Sequence, residues 1–424
     1  MGPHMGSSSQ AELRPRAVHL KRKALEHYRP IVGDELVGEI RDLAYDLRGV
    51  RVLELSSTAT GGGVAEMLSS LVPLERDVGL DAQWRLLAGD PTFFAVTKKL
   101  HNGLQGMRCE LDDGERDAYL RLNEETAHVL GDEWDIVVAH DPQPAAVRSF
   151  VDNGAARWLW RCHVDTSQPD RAAWEFLRPL IEAHDRAAFT LDEFAPPDLD
   201  LPATTLVPAI DPLTSKNRPL PAYLARETVQ ELGIDLARPL LLQVSRFDPW
   251  KDPLGVVEIW RRAREEHPEL QVALVGSMAT DDPQGWDIYQ QVQREARGEE
   301  GFFLFTDQMG VSHHEVNAMQ RVADVVVQKS TREGFGLIVS ETLWKGTPIV
   351  AGRAGGIPSQ LEDGRSGFLA ETIEEFAGRV VELLRDPVLA KELGTAGVHR
   401  VRERFLIPRL LRDRLLVLRE LVAA

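Results

Sequence analysis

A chain of 424 residues is longer than one ordinary hydrophobic core supports, so two domains are expected. Hydrophobic content of 43% and charged content of 27% are those of a globular protein. A net charge of -17 repels phosphate backbones at long range, which excludes nucleic acid and anionic membranes as partners. It leaves open a phosphorylated small molecule, which needs only a few well-placed cations.

No apolar run approaches the length of a membrane span and no signal peptide is visible. Cys109 and Cys162 lack metal-site spacing and read as free core thiols in a reducing compartment. The expectation is a cytoplasmic enzyme or binding protein. Met1 to Gln10 reads as a tag-cleavage scar plus a flexible leader and is set apart from the fold.

In chain order, Leu36, Ile40, Leu43 and Leu47 recur at helical spacing, with Gly49 placed as a C-cap. Val50 to Leu55 reads as a strand, followed by Gly61-Gly62-Gly63 and a helix from about Val64. Asp135 to Ala139 and Trp158 to Cys162 are further strands between helical stretches, an alternation that predicts a parallel sheet. Prolines cluster and periodicity weakens between Pro196 and Arg238, which places the domain junction near Ile210-Asp211-Pro212. A second series runs through Leu240 to Val244, Val272 to Val275, Phe302 to Phe305, Asp324 to Val327 and Pro348 to Val350. Pro408 suits the first turn of a final amphipathic helix with Leu411, Leu415, Leu418 and Val422. The expected organisation is α/β, with Rossmann-like domains at 11–209 and 210–405. The helix at 406–424 then braces the first domain.

Polar and glycine-rich clusters follow the predicted strands, at the ends where open parallel sheets bind ligands. Gly61, Gly62 and Gly63 let backbone N–H groups approach an anion, although a tight strand-to-helix turn explains them equally well. They match neither a dinucleotide fingerprint nor a Walker loop. Arg246 and Lys251 leave a strand end just before a helix, where two cations can grip a diphosphate and stabilise it as a leaving group. A solvated Arg/Lys pair is the bland alternative. In the run Glu333-Gly334-Phe335-Gly336-Leu337, the glycines bare backbone N–H groups at a helix entry. Glu341 lies two helical turns beyond, so both carboxylates can point towards one molecule and accept hydrogen bonds from diols. His140-Asp141 and His163 follow two strands of the first half. For these, a satisfied core histidine and a simple turn are the alternatives. Asp198-Leu199-Asp200 lies in the proline-rich junction and reads as a solvated loop, so no metal site is expected.

The Glu333-x7-Glu341 pattern, the Arg246/Lys251 pair, the early glycine loop and His163 together resemble retaining glycosyltransferases of the GT-B type. The resemblance covers nearly the whole chain after about residue 30. It narrows to the trehalose glycosyltransferring synthases at Phe93 to Gly106, Ala139 to Pro144 (with Gln143), Trp158 to Asp165 and Asp281 to Trp286. It implies two Rossmann-like domains facing across a cleft, with the last helix crossing back to the first. It also implies nucleoside diphosphate-glucose as donor substrate, glucose as acceptor, a reversible reaction and no required cofactor. Arg246 and Lys251 would bind the donor diphosphate, and Glu333 with the backbone of Gly334 to Gly336 and Leu337 the donor glucose. Glu341 would hold the ribose diol and His163 the region of the C6 hydroxyl. Asp141, with His140 and Gln143, would face the acceptor.

Retention allows a carboxylate nucleophile, with Glu333 the obvious choice, or a front-face route in which the departing phosphate takes the acceptor proton; the implied role of Glu333 favours the second. A trehalose phosphorylase using glucose 1-phosphate, another nucleotide-sugar-dependent glycosyltransferase, a sugar-nucleotide epimerase and a non-enzymatic binding module are the rivals. Nucleotide base, direction of flux and oligomeric state stay open, a homodimer included.

Overall fold

The computed structural model describes residues 15–151, 155–277 and 283–423, so the leader and Asp281-Asp282 lie outside the described residues. The chain divides into two compact units, 1–208 with 407–424 and 209–406.

In the first unit the strands are β1 (Arg16–Ala17), β2 (Arg51–Ser56), β3 (Asp81–Leu86), β4 (Ile136–His140), β5 (Arg157–Arg161), β6 (Arg186–Phe189) and β7 (Ala203–Thr205). Their order across the sheet is β1-β3-β2-β4-β5-β6-β7. All neighbours are parallel except β1, which runs antiparallel on the β3 edge. The strand β4 reads as an apolar run up to His140, and β2 as one broken in the middle by Glu54, because helices cover both faces of a parallel sheet. Leu53, Leu55, Val137, Trp158 and Trp160 pack with Phe93, Tyr119 and Phe189 in one core. The final helix, Ile407–Ala423, belongs to this unit and packs on the helices Arg29–Tyr45 and Gly63–Asp77.

The second unit holds β8 (Leu240–Val244), β9 (Gln271–Gly276), β10 (Phe302–Thr306), β11 (Val325–Gln328), β12 (Ile349–Gly352) and β13 (Phe368–Ala370). Their order is β10-β9-β8-β11-β12-β13, all parallel. Trp260, Leu274, Val327, Val350 and Phe376 centre its core.

In each sheet the order reverses direction once, between β2 and β4 and between β8 and β11. At such a point the loops leaving the two strands diverge to opposite sides and open a crevice beyond the strand ends.

The first long helix departs from expectation. It ends at Tyr45, so Leu47 is buried in the following turn rather than in the helix. Gly49 is not a C-cap: at φ 78° it turns the chain into β2 and donates to the Gly79 carbonyl at 2.9 Å. The strands β3, β6, β7 and β13 carried no clear signal. The strand β3 interleaves Asp81, Gln83 and Arg85 with its apolar residues, and the other three have only three or four residues.

Gly394, inside the helix Pro387–Arg404, shows how closely the second unit is packed: an added Cβ would lie 2.0 Å from the Gly346 carbonyl oxygen. Gly394→Ala is expected to destabilise the protein by about 1–3 kcal/mol through overpacking. The exposed helical Gly378, with nothing within 4 Å of its would-be Cβ, is expected to gain about 0.5–1 kcal/mol as Ala. Urea midpoints of the two variants should move in opposite directions.

Candidate functional site

Both divergence points are lined by the polar residues singled out above. In the second unit, Arg246 and Lys251 leave β8 and Glu333 follows β11. The two loops are tied together: Thr331 N–H donates to the Trp250 carbonyl at 2.8 Å. Gln243 reaches both sides, donating to the Lys251 carbonyl at 3.1 Å and accepting from Lys329 N–H at 3.1 Å. Lys329 Nζ lies 3.1 Å from Asp252, whose left-handed backbone (φ 43°) caps the helix Pro253–Arg264 through Gly255 N–H.

This frame places Lys251 Nζ 2.6 Å from Glu333 Oε2, which also accepts from Ser330 Oγ at 3.2 Å. Arg246 is not drawn into that pair; half-exposed, it lies 3.5 Å from Asp248. Behind Glu333, Gly355 and Gly356 press against the loop backbone. A Cβ on Gly355 would fall 1.6 Å from the Glu333 carbonyl oxygen, at a φ of 49°. Gly356 N–H donates to the Gly334 carbonyl at 3.1 Å. Gly336 caps the helix Leu337–Trp344 in a left-handed conformation (φ 81°), and no side chain caps the amides at its start. Phe335 is a core side chain tilted against Phe405, and Leu337 is half-buried, so their polar contribution here is backbone N–H.

Glu341 does not meet Glu333. It is fully buried, with Lys216 Nζ 2.9 Å from Oε1, while Lys345 Nζ bonds Asn217 Oδ1 at 2.9 Å beside it. Lys216 and the Gly355-Gly356 buttress were not foreseen. Lys216 sits in the proline-rich junction, where no periodicity marks it, whereas the sequence Ala354-Gly355-Gly356 was a readable signal of close backbone approach.

In the first unit Gly61 (φ 82°) and Gly62 form the exposed entry to the helix beginning at Gly63. Across the divergence point, at the ends of β4 and β5, His140, Asp141 and His163 come together. His140 Nδ1 lies 2.9 Å from His163 Nε2, and His163 N–H donates to Asp141 Oδ1 at 2.9 Å. Asp141 adopts a left-handed backbone (φ 62°), held by its own N–H to the Arg161 carbonyl and by Trp160 Nε1 to its carbonyl at 3.0 Å. Burial pushes the Asp141 carboxyl up to about 6 against the opposing pull of the His163 N–H and Arg161. Gln143 is half-buried on the same loop.

The largest surprise lies beneath them. Glu54, in the middle of β2, is fully buried, with Oε2 2.6 Å from His140 Nε2 and Oε1 bonded to the guanidinium of Arg414 from the last helix. Arg414 Nε also lies 3.5 Å from buried Glu75. Both members of the Glu54–Arg414 pair carried a signal: a carboxylate inside the run Val52 to Leu55, and an arginine on the apolar stripe between Leu411 and Leu415.

Asp198 is taken by Trp174 Nε1 at 2.8 Å and Arg178 at 3.1 Å. Among the described residues no group of three or more His, Cys, Asp or Glu is placed to hold a metal ion, and no helix is long and apolar enough to cross a membrane.

Residues 54–196 match the profile of the trehalose synthase N-terminal domain, and residues 225–400 that of glycosyl transferases group 1. The chain is 51% identical to a trehalose synthase of Rubrobacter xylanophilus, over 92% of this chain and 95% of that protein. It is 43% identical to one of Pyrococcus horikoshii, over 91% and 94%. A trehalose phosphorylase of Pleurotus pulmonarius is 29% identical, over 87% of this chain and 57% of its own length. Among solved structures, sucrose-phosphate synthase of Thermosynechococcus elongatus superposes with a TM-score of 0.69 at 16% identity, covering 88% of this chain and 99% of that one. The UDP-forming trehalose-phosphate synthase of Burkholderia xenovorans gives 0.70 at 14%, covering 88% and 100%. The architecture is that of GT-B glycosyltransferases.

The Asp141 carboxyl binds its proton more tightly folded than unfolded, near 6 against an ordinary 3.8. Its ionisation therefore costs stability as pH rises from about 4 through 6, up to a ceiling of about 3 kcal/mol above that window. Asp141→Asn, which tolerates the same left-handed backbone, should raise the melting temperature at pH 8 and leave it nearly unchanged at pH 4. An equal shift at both pH values would refute the buried-charge account.

Proposed function

Because the chain belongs to the trehalose synthase family of glycosyltransferases, for which trehalose-related glycosyl transfer is the shared activity, we propose that it joins nucleoside diphosphate-glucose and glucose into trehalose, reversibly and with retention at the anomeric carbon. The observation that carries this reading is the Lys251–Glu333 pair at the divergence point of the second sheet, with half-exposed Arg246 on the same loop. A lysine and an arginine beside a helix start whose amides no side chain caps are the chemistry that receives a diphosphate. The adjoining carboxylate accepts from sugar hydroxyls, as the buried Glu341 would from the ribose diol. In this reading His163 meets the donor near its C6 hydroxyl, while Asp141, with His140 and Gln143, faces the acceptor.

The step is front-face. The bond between the anomeric carbon and the diphosphate oxygen lengthens, and the charge gathering on that oxygen is met by Arg246 and Lys251. The acceptor hydroxyl oxygen forms the new bond on the same face, and its proton passes to the departing phosphate oxygen. Glu333 holds hydroxyls and is not consumed. Neither a cofactor nor a metal ion has a part in it.

The likeness to trehalose phosphorylase favours one second reading, in which inorganic phosphate replaces the nucleotide. Incubation of the protein with trehalose plus ADP, UDP or GDP should yield nucleoside diphosphate-glucose and free glucose. Product with phosphate alone would transfer the assignment to the phosphorylase. Lys251→Ala is expected to lower kcat roughly 10²–10³-fold, as loss of a leaving-group cation does, and Glu333→Gln roughly 10²-fold. Turnover should survive EDTA. Near-wild-type kcat in Glu333→Gln would remove the carboxylate from the mechanism.

A further inference from the structure

The line Arg414–Glu54–His140–His163 has a polarity that can be read from the outside in. Arg414 can only donate, and Glu54 answers it with Oε1. The other oxygen, Oε2, is 2.6 Å from His140 Nε2 and can only accept while the carboxyl is ionised, so Nε2 carries a hydrogen. His140 then offers a lone pair at Nδ1, 2.9 Å from His163 Nε2, which must donate. The two imidazole planes are within 14° of each other with centroids 5.2 Å apart. This is an end-to-end, in-plane arrangement that aims the lone pair along the N–H rather than face-to-face stacking. His163 is left with a bare Nδ1, buried and without a hydrogen-bond partner among the described residues.

The reverse polarity needs a second proton on His140 or a neutral Glu54. The charges nearby oppose both. Arg414 already balances Glu54, and Arg414 with His140 holds that carboxyl below its usual range although burial alone would raise it. Burial, followed by Arg161, His140, Arg414 and His101, drives His163 well below the usual imidazole range, and burial lowers His140 against the pull of Glu54. The second carboxyl in the cluster, Glu75, is pushed up to about 8 by burial and by the charge of Glu54, so it adds no negative charge at neutral pH.

We propose that Glu54 and Arg414 are positioning residues that lock His163 into the tautomer with hydrogen on Nε2, presenting Nδ1 as an acceptor for one ligand hydroxyl. The tautomer stands on the geometry alone; that the hydroxyl belongs to a sugar rests on the transferase reading above. The last helix thus determines, through Arg414, what a histidine two strands away from Glu54 can recognise.

The test uses the full chain labelled with 15N-histidine, with His163 assigned by its loss in His163→Gln. Long-range 1H–15N spectra should show Nε2 protonated and Nδ1 bare. In Glu54→Gln the carboxamide must turn its oxygen to Arg414 and its NH2 to His140 Nε2, which inverts the relay. His163 should then carry its hydrogen on Nδ1, and kcat/KM for the sugar donor should fall roughly ten- to hundredfold as an acceptor becomes a donor. A wild-type His163 protonated on Nδ1, or on both nitrogens, overturns the proposal whether or not the variant folds. Inverted spectra with unchanged kcat/KM overturn the positioning role. Failure of every sugar-transfer assay would defeat the transferase reading while the wild-type spectrum still decides the tautomer.

Discussion

A carboxylate stripped of water must be met by cations and hydrogen-bond donors, and Glu54 imposes that requirement on the whole first unit. Its neighbours Leu53 and Leu55 face one core, and strand alternation turns Glu54 to the other side of the sheet, where only the helices can answer it. The answer comes from the far end of the chain. The helix Ile407–Ala423 lays an apolar face on the helices Arg29–Tyr45 and Gly63–Asp77 and delivers Arg414 to the strand. The remaining oxygen fixes His140 at the end of the neighbouring strand. Removing the Arg414 side chain alone, with the helix in place, would leave a buried charge unpaired at a cost of about 3–5 kcal/mol, separate from the apolar contacts of the helix. The return of the last helix to the first unit is therefore an electrostatic necessity as well as a hydrophobic one.

The second unit solves a matching problem with a shorter reach. Its strands β8 and β11 part company as β2 and β4 do, and again an acid and a base meet across the gap, here Lys251 and Glu333. The difference is depth. Glu54 and Arg414 are sealed from solvent, so they can only set geometry. The side chains of Lys251 and Glu333 keep 14% and 13% of their surface, enough to exchange one partner for another.

What the sequence disclosed follows from this contrast. The strands around each divergence point were legible because parallel, doubly covered strands are largely apolar runs, here broken inside only at Glu54 and Gln243. The clusters following them were legible because Gly61, Asp141, Arg246 and Glu333 interrupt such runs at their ends. The short strands β6, β7 and β13 were not, since three or four residues hold too little periodicity to distinguish from a turn. Gly49 misled for a local reason: a glycine after a helical stripe fits a C-cap and a strand-entry turn equally, and the bond to Gly79, thirty residues on, decides between them. Lys216, Glu54 and Arg414 are a different case. No periodicity marks Lys216, while Glu54 and Arg414 each stand out as a charge on an apolar stretch, but nothing local pairs a strand residue with a helix residue 360 positions away.

The two lysine–glutamate pairs of the second unit also bear on how a donor would enter under the proposed reaction. Glu333 and Glu341, the proposed acceptors of sugar and ribose hydroxyls, each have a lysine against them, Lys251 at 2.6 Å and Lys216 at 2.9 Å. Leaving these carboxylates unpaired would carry the desolvation cost of two partly or wholly buried anions. Pairing removes most of that cost, and it also stores the cation needed later. A diphosphate carries more negative charge than one carboxylate, so Lys251 gains by turning to it. Glu333, released, is then satisfied by hydroxyls that need no countercharge. Neither group is left bare at any stage, because the ligand supplies an anion for the lysine and donors for the glutamate together. A phosphate or a sugar arriving alone supplies only one of the two, so the pair itself favours a molecule in which both are joined.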